Sequence, residues 1–255
     1  MIGCIIQART NSKRLPKKIL KILDDKKNVL EYVINQVKNS TKIDKIVIAT
    51  TEKIDDDIIM NISKSNNCDY FRGSEKDVLD RYFNCAKKFN FDVIVRITSD
   101  CPLIDPEIID KVLEKFLMED YDYVTNTFPR TYPKGLDVEV FSYSILERMC
   151  KDAKLPSERE HVTQFILNHD EFRIGNVEYE NDLSQLRWTL DQKEDLDFLL
   201  NVIKGIDSRP ILMDNILKLL EKNPELKEIN SGIDPDQGIK KSKEEDKIFL
   251  KGNNN

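Results

Sequence analysis

Histidine is almost absent: His161 and His169 are the only two in 255 residues. That excludes an H-E-x-x-H metalloprotease site and leaves a Ser-His-Asp triad very few candidates. Glycine is scarce too; the eight present form neither G-x-G-x-x-G nor G-x-x-x-x-G-K-[ST], so a glycine-rich phosphate cradle is missing. The five cysteines, Cys4, Cys68, Cys85, Cys101 and Cys150, are odd in number, dispersed and without a C-x-x-C pair. They read as buried thiols rather than as a disulfide framework or a structural zinc site. Positive charge is not in surplus: 40 Lys and Arg stand against 46 Asp and Glu, a net charge of −6, with a pI of about 5.2. Nucleic-acid binding draws its affinity from a Lys/Arg excess on one face, so any basic site here is local. Nor is there a long apolar run at the start, where MIGCIIQARTNSKRLP fits neither a signal-peptide core nor a span of about 20 apolar residues. A cytoplasmic protein is expected, with no membrane and no nucleic acid among its partners.

The chain is long enough for one large domain with a full core, or for one with an appendage. Short apolar, β-branched runs alternate with longer stretches of helical period, the pattern of a mostly parallel sheet wrapped by helices. Residues 2–6, 46–50, 68–71 and 92–97 read as strands, and 29–37, 55–65, 78–86 and 106–117 as helices, the last with Pro106 in its first turn. Residues 123–127 and 138–141 are strand-like pieces around a turn-rich loop at 129–135. Ser157-Glu158-Arg159-Glu160 matches the S-x-x-E capping box and predicts Arg159 in the first turn of a helix running to 167. Segments 173–179 and 186–190 read as further strands, 194–203 and 211–220 as amphipathic helices. From Asn223 on the chain is too poor in apolar groups to offset its ordering entropy. The expected division is therefore a domain at 1–222 and a frayed tail at 223–255.

Three stretches can carry chemistry. Gln7 to Lys18 follows the first strand and packs five cations, Arg9, Lys13, Arg14, Lys17 and Lys18, into ten residues. Ligands of open α/β sheets bind beyond the carboxyl ends of strands. Arginine forks and mobile lysine charges there can do for a polyphosphate what a glycine-rich backbone does elsewhere. A solvated basic loop is the alternative, and the rigid Leu15-Pro16 dipeptide weighs against it. At the end of the strand at 92–97, Asp100 is placed to hold a Mg²⁺ that also binds phosphate oxygens, whereas Asp105, directly before Pro106, reads as a helix cap. Asp191, where another strand is expected to run into a helix, suits either a second metal carboxylate or an N-cap.

In order along the chain, IIQARTNSKRLPKKIL, FRGSEKDVLDRY, VRITSDCPLIDPEII, NTFPRTYPKGLDVEVFS, LPSEREHVT and LRWTLDQKEDL resemble the cytidylyltransferases that activate sugar acids. That group contains the CMP-KDO and CMP-acylneuraminate synthetases, and the likeness is strongest to its SpsF-like branch, over roughly residues 1–206. The resemblance implies a three-layer, Rossmann-like nucleotide-diphospho-sugar transferase fold, α/β with a mostly parallel central sheet and a small β excursion. It implies a Mg²⁺-dependent reaction of CTP with an acceptor, giving a CMP-linked product and pyrophosphate for surface polysaccharide or glycan biosynthesis. By the same resemblance Ala8, Arg9, Ser12, Arg14, Lys18, Arg72, Thr98 and Asp100 bind the nucleotide. Arg9, Lys18, Asp100 and Asp191 are catalytic, with Asp100 and Asp191 as the metal pair. The branch-specific stretches contribute Asn126, Arg130, Tyr132, Lys134, Asp137, Glu139, Arg159, His161 and Arg187, a mainly cationic set that suits a small acidic acceptor, and Arg159 is the first choice within it. A homodimer is the expected assembly.

Lys17 departs from the family pattern by standing where R-L-P-G-K has Gly, and Ser99 replaces a Gly before Asp100; both side chains can point away. In-line attack on the α-phosphorus asks for charge neutralisation rather than covalent chemistry by the protein. The same loop and metal pair would also serve a phosphonate or a sugar phosphate. A catalytically silent nucleotide-binding protein is a further alternative, and both carboxylates beside Lys18 argue against it.

Overall fold

The structure, a computed structural model, describes all residues except 13, 235, 236 and 253–255. Lys13, one of the five loop cations, and the last three residues of the tail therefore lie outside the described residues. In chain order the elements are β1 (Ile2–Gln7), α1 (Val29–Val37), β2 (Lys45–Thr51), α2 (Asp57–Ser65), β3 (Asp69–Gly73), α3 (Val78–Phe89), β4 (Val93–Thr98) and α4 (Pro106–Met118). There follow β5 (Tyr123–Thr125), β6 (Glu139–Ser142), α5 (Tyr143–Asp152), α6 (Pro156–His161), α7 (Gln164–Leu167), β7 (Ile174–Asn176), α8 (Lys193–Gly205), α9 (Met213–Lys222) and α10 (Gln237–Gly252).

The strands form one seven-stranded sheet in the order β3-β2-β1-β4-β6-β5-β7. β1 pairs in parallel with both β2 and β4, β2 with β3, and β6 runs antiparallel to β4 and β5. β6 and β5 supply the expected β excursion. The chain winds from β1 outward to β3 and then returns to lay β4 on the other side of β1. A crevice opens where the winding reverses, beyond the carboxyl ends of β1 and β4.

Both faces of the sheet are covered, which is why its parallel strands read as continuous apolar runs. Cys4 and Ile6 of β1 face a core with α1, α4 and α8, whereas Ile5 faces one with α3, α5 and α7. Local signals set the helix starts. Asn28 and Glu31 form a reciprocal capping box on α1, Asp77 caps α3, and Asp105 caps α4 ahead of Pro106.

Four segments differ from the sequence reading. The helix expected through residue 167 is broken into α6 and α7 at Val162, whose φ of 62° and ψ of −66° form a γ-turn with the Thr163 N–H donating to His161 O at 2.7 Å. The cap of α6 also shifts: it starts at Pro156, and Glu158 accepts from the Lys154 and Leu155 N–H groups. Segment 186–190 is not a strand, because its one ladder contact is an isolated bridge between Lys134 and Arg187. Helix α5 had no counterpart in the reading. Within the segment expected to fray, the described residues include α10, which meets α6 through His161 Nε2 and Ser242 Oγ at 2.7 Å and through the Ser157 N–H on Asp246. Composition misses such anchoring because it counts apolar groups and not hydrogen bonds.

Candidate active site

The loop after β1 is held at both ends. The Ala8 N–H donates to Ala49 O, and the Thr10 N–H and Oγ1 both donate to Asp56 Oδ1 at 2.7 Å. Thr51 Oγ1 donates to the other oxygen of Asp56, so this buried carboxylate pins the loop to the end of β2. The Lys17 N–H closes the turn on Thr10 O at 3.2 Å. Lys17 itself takes the left-handed conformation, φ 54° and ψ 32°. The family's glycine position thus retains its glycine-like backbone here, and the lysine side chain points out to solvent. A 3₁₀ turn at Lys18–Leu20 buries Ile19 and turns Lys18 into the crevice.

There the Lys18 ammonium donates to Asp100 Oδ2 at 2.7 Å and to Asp191 Oδ1 at 2.8 Å. Arg14 reaches the same Asp191 oxygen at 2.7 Å, and Arg187 donates to Asp191 Oδ2 at 3.0 Å. Burial opposes the charge on Lys18, but the two carboxylates outweigh it and hold its pKa above the ordinary lysine value. Burial likewise opposes ionisation of Asp100, and the ammonium overrides it, bringing that pKa down to about 2.

The two competing uses of Asp are separated cleanly. Asp105 is the cap, accepting from the Glu107 N–H at 2.8 Å and the Met213 N–H at 2.6 Å. For α8 the capping falls to Asp195, which accepts from the Asp191 and Gln192 N–H groups at 2.8 and 2.9 Å. That leaves the Asp191 carboxylate free to face cations. Asp195 also takes two bonds from Arg187, and Asn230 donates to Asp195 as well. Arg187, expected to touch the acceptor, therefore orients Asp191.

Lys134 comes to the same centre through a tight loop. Gly135 has φ 111°, and a Cβ there would lie 2.6 Å from the Trp188 carbonyl carbon. The close approach brings the Lys134 N–H onto Leu186 O and the Trp188 N–H onto Lys134 O. Burial pulls the Lys134 pKa down, Asp137 and Asp191 act against that, and Arg187 and Arg130 reinforce it. Arg130 and Asp137 form a two-bond fork at 2.7 Å. Asn126 is buried and spends its amide on Leu136 O and the Val138 N–H, which shapes this loop. Tyr132 is buried against Tyr179.

Among the described residues, none of the remaining expected ones bonds Lys18 itself, although Thr98 bonds Asp100, which Lys18 contacts. Arg9 reaches Glu160 of α6 at 3.8 Å, and Ser12 is half-buried on the loop. Thr98 sits opposite Gln7 in register, its hydroxyl 3.3 Å from Cys101 Sγ. Arg72 is engaged with Thr51 O, Lys53 O and Asp57. Glu139 is paired with Arg96 and accepts from Tyr123 and Thr163 hydroxyls, and His161 binds α10. Arg159 departs furthest from expectation: its guanidinium donates to Asp77 and to Cys150 O, joining α6 to α3.

Sequence reading passed over Asp56, Asp195 and Gly135. For Asp195 the signal was there, since an acidic residue at the third helical position after Gln192 is half of a capping box. No local pattern points to Asp56, because its partners lie on a different segment.

A mostly parallel sheet with a cationic loop after its central strand, facing two carboxylates across the crevice, defines a nucleotidyltransferase. The family model for Cytidylyltransferase matches residues 3–231, and the chain belongs to that family. It is 41% identical over 232 residues to uncharacterized protein MJ1063 of Methanocaldococcus jannaschii, covering 90% of this chain and 94% of that one. Spore coat polysaccharide biosynthesis protein SpsF of Bacillus subtilis is 32% identical over 232 residues, covering 87% and 94%. A cytidylyltransferase structure from Leptospira borgpetersenii serovar Hardjo-bovis has a TM-score of 0.85 at 36% identity, covering 89% and 96%. The fold and enzyme class expected from the sequence motifs are borne out.

Proposed function

We propose that the protein transfers the cytidylyl group of CTP to an acceptor bearing an acidic group, with Mg²⁺, and releases pyrophosphate. The observation that carries this reading is the meeting of Lys18, Asp100 and Asp191 at the carboxyl ends of the central strands. Two carboxylates from distant segments converging on one cationic nitrogen are a hard-oxygen donor set that suits Mg²⁺ shared with phosphate oxygens. Asp100 and Asp191 would hold the ion, which supplies charge neutralisation at the reacting phosphate.

The chain's own residues do the rest. Arg14 and Lys18 bind the β- and γ-phosphates and so stabilise the charge that builds on departing pyrophosphate, while Arg9 lies nearer the reacting phosphate. The acceptor oxygen bonds to the α-phosphorus as the bond to the β-phosphate's bridging oxygen breaks, and the acceptor's proton passes to solvent. Lys134 and its cationic neighbours favour an anionic group on the acceptor. The likeness to the Bacillus spore coat polysaccharide biosynthesis protein supports a role in surface polysaccharide or glycan synthesis. Pyrophosphate release from CTP, measured with and without Mg²⁺ against acidic sugars, phosphonates and sugar phosphates, tests the reading. Turnover with an acidic sugar or phosphonate supports it; turnover with sugar phosphates alone, or CTP binding without turnover on any acceptor, overturns it.

A further inference from the structure

On the α3 side of the crevice, apart from Arg96 Nε, whose guanidinium is already paired with Glu139, two buried polar atoms stand out as having no partner among the described residues. One is Gln7 Oε1, at the end of β1; the other is Arg81 Nε, on α3. Arg81 is only 2% exposed, and one bond accounts for it, from Nη1 to Ser74 O at 2.9 Å. Buried arginines are ordinarily paired, because an uncompensated charge removed from water is costly. Asp56, whose field reaches the guanidinium, is already committed to Thr10 and Thr51.

The two groups share one face and one end of the sheet. Gln7 lies two residues beyond Ile5, which packs with Leu79 and Tyr82 of α3, and strand side chains repeat every second residue. Its register partner on β2 is Ala49, in the same cluster as Val78 and Leu79, and its partner on β4 is Thr98. The bond to Ser74 O brings Arg81 to the start of α3, beneath Gly73, where an added Cβ would meet Arg81 Cγ at 3.1 Å. Arg9 of the phosphate loop is also near enough to repel the Arg81 charge.

We infer that Gln7 and Arg81 read the base of the nucleotide: Gln7 Oε1 accepts from the exocyclic amino group of cytosine, and Arg81 donates to its ring acceptors. This rests on the function proposed above and names the base selector within it. Cytosine presents an amino donor beside the acceptors N3 and O2. Uracil presents a carbonyl and an N3–H in the first two places, a mismatch for both residues. The Gln7 amide can turn to offer its NH₂ instead, so rejection of uracil rests mainly on Arg81, which cannot become an acceptor.

Calorimetric titration with CTP, UTP and inorganic tripolyphosphate, alongside thermal melts, tests the pair in wild-type, Arg81→Met and Gln7→Leu proteins. Arg81→Met is expected to melt no lower than wild type and to lose about 10- to 100-fold in CTP affinity, with tripolyphosphate binding unchanged. Arg81→Met should also narrow the preference for CTP over UTP, and Gln7→Leu should lose CTP affinity with tripolyphosphate binding unchanged. A lower melting temperature with unchanged CTP affinity would make Arg81 structural and overturn the inference, as would an equal loss toward tripolyphosphate. If Arg81→Met does not fold, an unchanged CTP affinity in Gln7→Leu overturns it alone. Wild-type protein that binds tripolyphosphate without preferring CTP would instead overturn the proposed function.

Discussion

The Lys18 ammonium lies 2.7 Å from Asp100 Oδ2, across a sequence separation of 82 residues. The contact joins the β1 loop to the end of β4, and Asp191 closes the group from a third segment. Asp100→Asn should therefore leave the fold intact, since the cap of α4 rests on Asp105, yet cut turnover by about 10²-fold or more. Asp191→Asn should do the same. Rates from pyrophosphate release, with melting temperatures as the folding control, check both. Near wild-type turnover in either variant would remove it from the metal pair.

Lys18→Ala is expected to weaken CTP binding far more than CMP binding, by about 10-fold or more in the ratio, because the lost charge faces groups that CMP lacks. Titration of both ligands into the two proteins decides it. An equal loss for both would place Lys18 elsewhere on the nucleotide.

The same contact makes stability depend on acid pH. Asp100 has its folded pKa lowered to about 2 from 3.8, so its contribution is complete above about pH 4 and is lost as pH falls toward 2. In Lys18→Met the lowering influence is gone and burial remains, so this part of the acid loss vanishes. The gap in melting temperature between wild type and Lys18→Met should be widest near neutral pH and shrink between pH 4 and 2. A constant gap across that window would contradict the linkage.

Where one local signal decided the outcome, the sequence was enough. The continuous apolar character of β1 and β4 reports burial on both faces, and Asp105 directly before Pro106 reads better as a cap than as a metal carboxylate, as the structure has it. The site was legible in its carboxylates because both sit just past apolar runs. Segment 186–190 misled because Leu186, Trp188 and Leu190 alternate with polar residues in the sequence, whereas Arg187 and Thr189 are buried along with Trp188 and Leu190 and the Trp188 N–H meets Lys134 O in a loop. The break at Val162 was invisible, since a β-branched residue is a poor candidate for positive φ. Gln7 and Arg81 read as an ordinary strand end and helix residue; only their missing partners single them out.

Lys17 pays for the loop's shape in backbone strain. A non-glycine residue in the left-handed region costs roughly 1–2 kcal/mol, and glycine's extra freedom in the unfolded chain returns about 0.4–1 kcal/mol of that. Lys17→Gly should thus gain about 0.5–1 kcal/mol, a rise of about 2 °C in melting temperature for a chain of this size, with CTP affinity held. A fall in melting temperature would show that the lysine side chain contributes more than its backbone costs.

Arg159 separates the sequence expectation from the structural one. As a first-turn arginine of an acceptor-binding helix, it would grip the acceptor's acidic group, and Arg159→Lys would impair acceptor use while leaving CTP binding nearly intact. In the structure its Nε and Nη2 both meet Asp77 Oδ2 and its Nη1 donates to Cys150 O at 2.7 Å. Asp77 is at the same time the cap of α3, accepting from the Asp80 N–H at 2.9 Å. Lysine carries one ammonium on a flexible stem and cannot make that fork and the carbonyl bond together. Because the pair is partly exposed, at 23% and 31%, the loss is discounted to about 1 kcal/mol, or about 2–4 °C in melting temperature. Arg159→Lys should therefore melt lower with acceptor KM unchanged, and Lys134→Ala should raise acceptor KM by about 10-fold with CTP affinity nearly intact. A raised acceptor KM in Arg159→Lys at wild-type melting temperature would return this residue to the acceptor site.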